Sequence, residues 1–412
     1  MNIGIDMLVA AADSTEKARK LADFICTGSH DELILQKAMD VCMETRQNLV
    51  LADGVYNIDG FRSYGDGGPK TALRVPNRWR ELAIIGQNTE YGLQKDYRNG
   101  VVFRLSAEAL ETIGNGEADV LRSGWCECGI QDGASLRLEN IAIVLENNRH
   151  ALRCIDLRRT DRAELKNISL FGYGDFFRTI GEKGLGVQPP LATKGCIGLT
   201  MTDGSNYNFS NYVNVFAYGF DEAIQVGGEH VVCINCGATS SRYGYTFGNY
   251  QFSCGFNHPI VMINCLDERN VNLPLFNRCG DHDCNGKPLH GLQEVTMIAW
   301  NIERNPDITP GGKLGDRMRE VNPGTWRGNI GFTFQPAWGH CNAEDADIWE
   351  HDGSGTGFVT RNNAHKAICT TAERLAYVPS YGEQLFDTDL NKLVICVDTA
   401  SRKWVDCMGN QV

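Results

Sequence analysis

Apolar residues recur at helical spacing in the first part of the chain. Within 13–25, the apolar residues that share one helix face are Ala18, Leu21, Ala22 and Ile25. This spacing predicts a short amphipathic helix, and Asp13 and Glu16 are placed as a capping box at its start. A second helix is predicted from Asp31 to about Glu44, where apolar residues again form one face.

After these helices the apolar spacing changes to the period of two that is typical of strands. Short apolar runs, closed by Gly, Asn or Asp, occupy 48–57, 82–86, 101–105, 136–144, 163–170, 207–215, 231–236, 259–265 and 295–303. The asparagines that serve as register marks are Asn140, Asn167, Asn211, Asn235 and Asn264. One coil of a parallel β-helix takes about twenty-odd residues, so the interval from Asn167 to Asn211 is interpreted as two coils.

These runs predict an all-β protein: a single-stranded right-handed parallel β-helix with short N-terminal helices and a small C-terminal β tail. Each strand would pair with its equivalent one coil away, about 4.8 Å distant, so that like residues stack on like. The stacked asparagines and the equivalent pair Cys236 and Cys265 are interpreted as structural. The predicted domains are an N-terminal helical cap (1–45), the β-helix (46–365) and a C-terminal tail or cap (366–412).

Composition and charge narrow the function classes. The 412 residues exceed the size of one compact core, and the 45 glycines are spread along the chain without a linker-like segment. A net charge of -12 argues against nucleic acid as a partner. We expect synthesis in the cytoplasm without a signal peptide, and no membrane insertion. The 16 cysteines are expected to be reduced and buried, and the CxxC pair Cys233 and Cys236 lacks the second pair of a zinc ribbon.

Three segments near the N-terminus, 22–32, 35–40 and 49–57, resemble the start of the pectate-lyase-like right-handed parallel β-helix superfamily, especially the tailspike and tail-fibre proteins of phages and prophages. Phe386–Lys392 and Lys403–Asp406 resemble the short terminal module of phage tail appendages. The resemblance implies a homotrimer of side-by-side β-helices on a virion tail, with carbohydrate bound on or between the subunits. Some such proteins hydrolyse or eliminate surface polysaccharide, and some only bind it.

Two strands that align over 263–269 and 298–304 supply candidates for catalysis. The alignment places Glu268 opposite Glu303, and Arg269 opposite Arg304. On adjacent coils the two carboxyls would lie about 5 Å apart, as in a retaining glycosidase. The alternative is an ion-pair ladder at a corner of the solenoid.

Other acidic, imidazole and aromatic groups extend the candidate site. The catalytic candidates are Glu268, Glu303, Asp267, Asp281 and Asp283, and the sugar-binding candidates are Arg269, Arg304, His282, Trp300, Trp326 and Trp338. The insertion 279–290 also carries His290 and could be a general base, a metal ligand set or a polar loop; no metal is predicted. Trp349 lies near the other tryptophans, and these rings are either a sugar platform or core. The clusters 220–222 with 228–230, and 349–353, pair carboxylates with imidazole but are interpreted as structural.

The leading interpretation is a tailspike-like protein that binds, and cleaves or merely holds, a bacterial surface polysaccharide. One alternative is a bacterial polysaccharide hydrolase or lyase that is not part of a virion. The other is a non-catalytic trimeric structural or receptor-binding protein. No cofactor is expected.

Overall fold

The structure is a computed structural model. It describes residues 6–75, 80–88, 100–114, 116–123, 134–174, 191–201, 209–228, 230–247, 260–272, 274, 295–298, 301–303, 350–351, 358–359, 368–376 and 384–412.

Strands dominate the described residues, with short helices near both ends. The helices are α1 (Glu16–Leu21), α2 (Asp31–Thr45), α3 (Ala107–Glu111) and α4 (Thr371–Ala376). The strands up to residue 171 are β1 (Met7–Ala10), β2 (Phe24–Ile25), β3 (Leu49–Leu51), β4 (Gly54–Asn57), β5 (Lys70–Val75), β6 (Arg80–Gly86), β7 (Val101–Leu105), β8 (Ala118–Ser123), β9 (Ala134–Leu145), β10 (Leu152–Asp156) and β11 (Arg162–Phe171). Those that follow are β12 (Ile197–Thr200), β13 (Ser210–Tyr218), β14 (Glu222–Val226), β15 (Val231–Ile234), β16 (Gly237–Thr239), β17 (Tyr243–Phe247), β18 (Ile260–Ile263), β19 (Leu266–Glu268), β20 (Val295–Ile298), β21 (Asn301–Glu303), β22 (Glu350–His351), β23 (Phe358–Val359), β24 (Ile368–Cys369), β25 (Gln384–Asp387), β26 (Lys392–Asp398) and β27 (Lys403–Asp406).

Most strands belong to two parallel sheets. The long sheet has 15 strands, and its main path runs β2-β1-β3-β6-β9-β11-β13-β15-β18-β20. The short sheet has 6 strands in the order β17-β14-β12-β10-β8-β5. From β9 to β14 successive strands alternate between the two sheets, and the paired strands are parallel. The described residues therefore form a mainly β protein built on parallel sheets.

One apolar cluster lies between the long and the short sheet. Leu138 and Ile168 of the long sheet belong to it together with Ile155 and Leu199 of the short sheet, and all four are fully buried. Burial of apolar surface contributes roughly 25 cal/mol per Å², so this shared core is the main stabilising element. It also fixes which side chains of each strand face outward.

A ladder of asparagines follows the long sheet from strand to strand. Its members, which we call the Asn ladder, are Asn140, Asn167, Asn214, Asn235 and Asn264, all with φ between 52° and 57°. From Asn167 on, each side-chain amide donates to the carboxamide oxygen of the preceding member, at 2.9, 2.8, 3.3 and 2.8 Å in chain order. Asparagine suits this position because it tolerates the left-handed conformation better than most residues.

The ladder corrects two sequence predictions. Asn214 is the ladder member, and Asn211 lies within β13 in register with Glu164. Within the described residues, no further strand of the long sheet lies between Asn167 and Asn214, because β11 pairs directly with β13. The prediction of two coils in this interval was wrong because a long insertion, not a further strand of the long sheet, lengthens it.

The N-terminal helices differ in how well they were predicted. The second helix was predicted almost to the residue, and its buried face includes Leu35, Ala38 and Met39. The first helix is shorter than predicted and buries no residue. Its N-cap is Thr15, whose hydroxyl accepts from the Ala18 N–H, so the predicted capping box of Asp13 and Glu16 is wrong. β1 and β2 lie beside these helices and join the long sheet.

The C-terminal strands form a separate small sheet in the order β24-β25-β26-β27. β25, β26 and β27 are antiparallel neighbours. Trp404 is 1% exposed and packs with Leu385 and Val394 in a cluster of their own. Among the helices of the described residues, none combines the length and the apolarity that spanning a bilayer requires.

Candidate functional site

The two glutamates predicted from the strand alignment occupy neighbouring strands. Glu268 ends β19 and Glu303 ends β21, and their Cα atoms are partners in the parallel register. Neighbouring parallel strands lie about 4.8 Å apart. The backbone therefore brings the two positions side by side, as the alignment predicted, whereas their chemical role stays a prediction.

Glu268 lies on the outer side of the long sheet beside Arg269. Its side chain is 16% exposed, and its Oε1 lies 3.3 Å from Nε of Arg269. Arg269 has a φ of 52°, and this left-handed conformation turns the chain sharply at the end of β19. A partly exposed carboxylate beside a guanidinium can bind sugar hydroxyls, take part in acid–base chemistry or serve as an ion pair.

Asp267, the third acidic candidate of this region, points to the opposite side of the strand. It is 2% exposed, and its Oδ1 accepts from Asn270 Nδ2 at 2.9 Å. Burial raises the pKa of Asp267 to about 7. Strand side chains alternate between faces, so Asp267 faces the core when Glu268 faces outward. This burial keeps a polysaccharide from reaching the Asp267 carboxyl.

A row of register positions runs along the outer face of the long sheet to the two glutamates, and its first four side chains are at most 2% exposed. Its members, which we call the outer column, are partners in the parallel register: Val144, Phe171, Tyr218, Thr239, Glu268 and Glu303. The rings of Phe171 and Tyr218 are stacked, with centroids 5.1 Å apart and planes 8° apart. The column therefore changes from aromatic to hydroxyl to carboxylate along the axis of strand stacking.

Phe216 adds a third ring next to the outer column. Its ring covers Gly237 in the next strand, where a Cβ would lie only 2.2 Å from Cε1 of Phe216. Sequence reasoning missed Phe216, Phe171 and Tyr218. The signal was present, because Phe171, Tyr218, Thr239 and Glu268 follow their ladder asparagines at one constant interval.

A second concentration of charge is buried against the short sheet. Arg158 forms two hydrogen bonds to Asp156, at 2.9 and 2.8 Å, and both side chains are 1% exposed. Arg153 Nη1 lies 3.8 Å from Asp119, which is fully buried. Burial, followed by the nearby Asp156 charge, raises the pKa of Asp119 to about 8. Burial would also raise the pKa of Asp156, but Arg158 outweighs it and lowers that pKa.

Asp119, with a raised pKa, and Asp156, with a lowered pKa, have the opposite shifts of an acid and a base. Both carboxyls are buried, so a polysaccharide cannot reach them. Sequence reasoning missed this buried cluster, since its residues lie on β8, β10 and the turn after β10, which carry no ladder asparagine. Arg122 extends the cluster by binding Asp66 with Nη2 at 3.0 and 2.7 Å. We regard it as a structural ionic network because Asp66, Asp119 and Asp156 are all buried.

The predicted carboxylate–imidazole cluster around Asp221 is structural in its described part. Asp221 pairs with Arg242 at 2.6 Å, and Glu222 accepts from Gln225 Nε2 and Thr246 Oγ1. Both carboxylates are buried. His230 stacks on another ring instead, that of Phe209, at a centroid distance of 4.8 Å.

Several candidates from the sequence lie outside the described residues and stay predictions. They are Asp281, His282, Asp283, His290, Trp300, Arg304, Trp326, Trp338 and Trp349.

Cysteines pack in the core of the described residues. Cys407 is exposed, and the other nine described cysteines are buried, as expected for small apolar side chains. Burial raises the pKa of Cys236 well above its ordinary value, which keeps the thiol protonated. Among the residues that the structure describes, no three or more His, Cys, Asp or Glu side chains are grouped so as to hold a metal ion.

No protein-family model matches the sequence, and no curated protein matches it at a significant level. Among solved structures, the chain is similar to tailspike protein 3 of bacteriophage CBA120, with 13% sequence identity and a TM-score of 0.18. That match covers 92% of this chain and 67% of the tailspike chain. A similarity with so low a TM-score assigns neither a fold nor a function.

Proposed function

We propose that this chain is a tailspike-like right-handed parallel β-helix that binds an extended bacterial surface polysaccharide on the outer face of the long sheet and cleaves it at Glu268 and Glu303. The alternation of strands between two parallel sheets around one apolar core supports the helical coil. The N-terminal resemblance to phage tail proteins supports a place on a virion tail.

One observation supports the catalytic part most directly: Glu268 and Glu303 are register partners. Parallel neighbours are about 4.8 Å apart, and the carboxyls of retaining glycosidases are about 5–5.5 Å apart. One carboxyl would act as nucleophile at the anomeric carbon. The other would protonate the leaving oxygen and then deprotonate the water that releases the sugar.

The partly exposed ring of Phe216, next to the outer column, suits contact with a sugar. Rings bind the apolar faces of sugars, and about 4.8 Å between strands is close to the length of one hexose unit. Phe216 is only partly buried, next to the closely packed Phe171 and Tyr218. We propose that the glycan lies along this direction, with its scissile bond at the carboxylate end.

Substitution of the two glutamates tests the catalytic part. We expect Glu268→Gln and Glu303→Gln each to lower the cleavage rate by at least 100-fold, about the contribution of general acid–base catalysis. Cleavage would be measured as new reducing ends from surface polysaccharides of a panel of candidate host strains. Glu164→Gln, on β11 of the same sheet, is the matched control and should keep the full rate.

The result separates catalysis from binding. Undiminished cleavage by both glutamine variants would refute the catalytic assignment. Retention of labelled polysaccharide without cleavage by the wild-type protein would favour a second function, non-catalytic glycan binding. The ion pair between Glu268 and Arg269 favours that second function, since it gives Glu268 a structural use.

A further inference from the structure

The turn that follows Glu268 is tied to the preceding coil by Asn270. Asn270 is 3% exposed, and its Oδ1 accepts from the Ser241 N–H at 2.8 Å. Its Nδ2 donates to the Ala238 carbonyl at 3.1 Å and to Asp267 Oδ1 at 2.9 Å. One side chain therefore joins the turn both to the neighbouring coil and to the strand that carries Glu268.

Gly244 leaves the space that this arrangement needs. A Cβ at Gly244 would lie 2.4 Å from Asp267 Oδ2 and 2.3 Å from Asn270 Nδ2. Real side chains do not approach so closely, so any larger residue at Gly244 would displace the pair. Gly244 thus allows two polar side chains to fit inside the core.

The equivalent turn of the preceding coil lacks such a pair. There the left-handed residue is Ser240, with a φ of 53°, and Ser241 takes the place of Asn270. Ser241 Oγ donates to the Thr239 carbonyl and accepts from the Phe220 N–H. A serine is therefore compatible with this kind of turn, although it is too short to reach as Asn270 does.

In the sequence, the buried residues Asp267 and Asn270 flank the outward residues Glu268 and Arg269. The left-handed conformation of Arg269 is unfavourable for a residue with a Cβ. Such a conformation persists when the surrounding contacts impose it. Asp267 and Asn270 supply contacts of that kind immediately before and after the outward pair.

We propose that Asp267 and Asn270 are positioning residues, which hold Arg269 against Glu268 and so orient the Glu268 carboxylate. This proposal rests on the proposed function of Glu268. Burial raises the pKa of Asp267 to about 7, so below neutral pH its carboxyl is mainly neutral. An asparagine has the same shape and keeps the acceptor, which makes Asp267→Asn the conservative variant.

Chemical labelling of carboxylates tests the proposal without any glycan. The probe is a water-soluble carbodiimide with glycine ethyl ester at pH 6, and the rate of labelling at Glu268 is read by peptide mass spectrometry. In Asn270→Ser, which copies the turn of the preceding coil, we expect the rate at Glu268 to rise about two- to fivefold as the ion pair loosens. Glu164 on β11 is the internal reference, and its rate should stay constant.

The conservative variant distinguishes positioning from a general loss of stability. Asp267→Leu should raise the labelling rate at Glu268 as Asn270→Ser does, whereas Asp267→Asn should label like the wild type. Circular dichroism confirms that each variant is folded. Unchanged labelling at Glu268 in folded Asn270→Ser and Asp267→Leu would overturn the positioning proposal. Failure of the proposed function is a separate result, since it is read from glycan cleavage and binding by the Glu268→Gln variant.

Discussion

At the scale of single residues, burial shifts the pKa of carboxyl groups and so makes the folding stability depend on pH. Asp119 has no hydrogen-bond partner for either carboxyl oxygen within the described residues, and its pKa is raised to about 8. The same carboxyl in an unfolded chain titrates near 3.9. A folded-state pKa above the unfolded value favours folding at low pH, and this contribution disappears as the pH rises through the folded pKa.

Asp119→Asn should therefore become relatively more stabilising as the pH rises. The amide removes the cost of ionising a buried carboxyl, so the free energy of unfolding should exceed that of the wild type at pH 8 by up to a few kcal/mol. At pH 4 the two proteins should differ little. Urea unfolding at both pH values measures this, and a difference that does not change with pH would contradict the assigned cause.

At the same scale, sequence reasoning predicted that Glu268 and Glu303 are neighbours but not that Asp267 is buried. The pairing of Glu268 with Glu303 was predictable because register extends along a strand from a few matched residues. The inward direction of Asp267 follows from the same alternation. What the sequence did not show was Asn270, whose partners Ser241 and Ala238 are distant in the chain and close only after coiling.

At the scale of elements, each residue of the Asn ladder affects stability in two ways, through its left-handed backbone and through its side-chain hydrogen bonds. Each asparagine adopts a left-handed backbone, and from Asn167 on each side-chain amide donates one hydrogen bond to the asparagine of the preceding strand. A net hydrogen bond contributes about 0.5–1.5 kcal/mol, and the left-handed backbone costs roughly 1–2 kcal/mol with a Cβ. The two contributions can be separated by substitution.

Asn167 is the best position for that separation because it has a ladder partner on each side. We expect Asn167→Gly to lower the free energy of unfolding by about 1–3 kcal/mol through the lost hydrogen bonds alone. Asn167→Ala should lower it by roughly a further 1 kcal/mol, because alanine adds the backbone strain. Denaturant titration of both variants measures the difference. Equal destabilisation would show that the backbone conformation contributes little.

The short sheet is the element that sequence reasoning missed entirely. Its strands β8, β10, β12 and β14 are buried at every residue, including polar ones such as Arg122, Asp156, Thr200 and Gln225. A strand that is covered on both faces shows no alternation of apolar and polar residues. The long sheet was recognised because one face is apolar and its asparagines mark the register.

At the scale of the whole molecule, an outward apolar stripe bears on assembly. It consists of half-buried residues that alternate with core residues on β13, β15 and β18: Val213, Val232, Ile234, Val261 and Ile263. In the register, Val232 stacks on Val261, and Ile234 on Ile263. A flat surface of β-branched residues without charge is typical of an interface.

The resemblance to phage tail proteins implies a homotrimer, and we propose that this stripe lies in its interface. Val261→Lys should shift the mass measured by light scattering towards that of one chain, because an unpaired ammonium would be buried in the interface. Lys194→Glu, an exposed change outside the stripe, is the control and should leave the mass unchanged. A wild-type mass of 45.6 kDa in solution would contradict the trimer.

The sequence by itself determined most strands of the long sheet from residue 48 onward, the second helix and the pairing of Glu268 with Glu303. These follow from local periodicity and from register, which are properties of neighbouring residues. Only the tertiary structure decided the short sheet, the outer column and the contacts of Asn270. Those depend on which segments the coils bring together, and insertions of variable length hide that information from any reading along the chain.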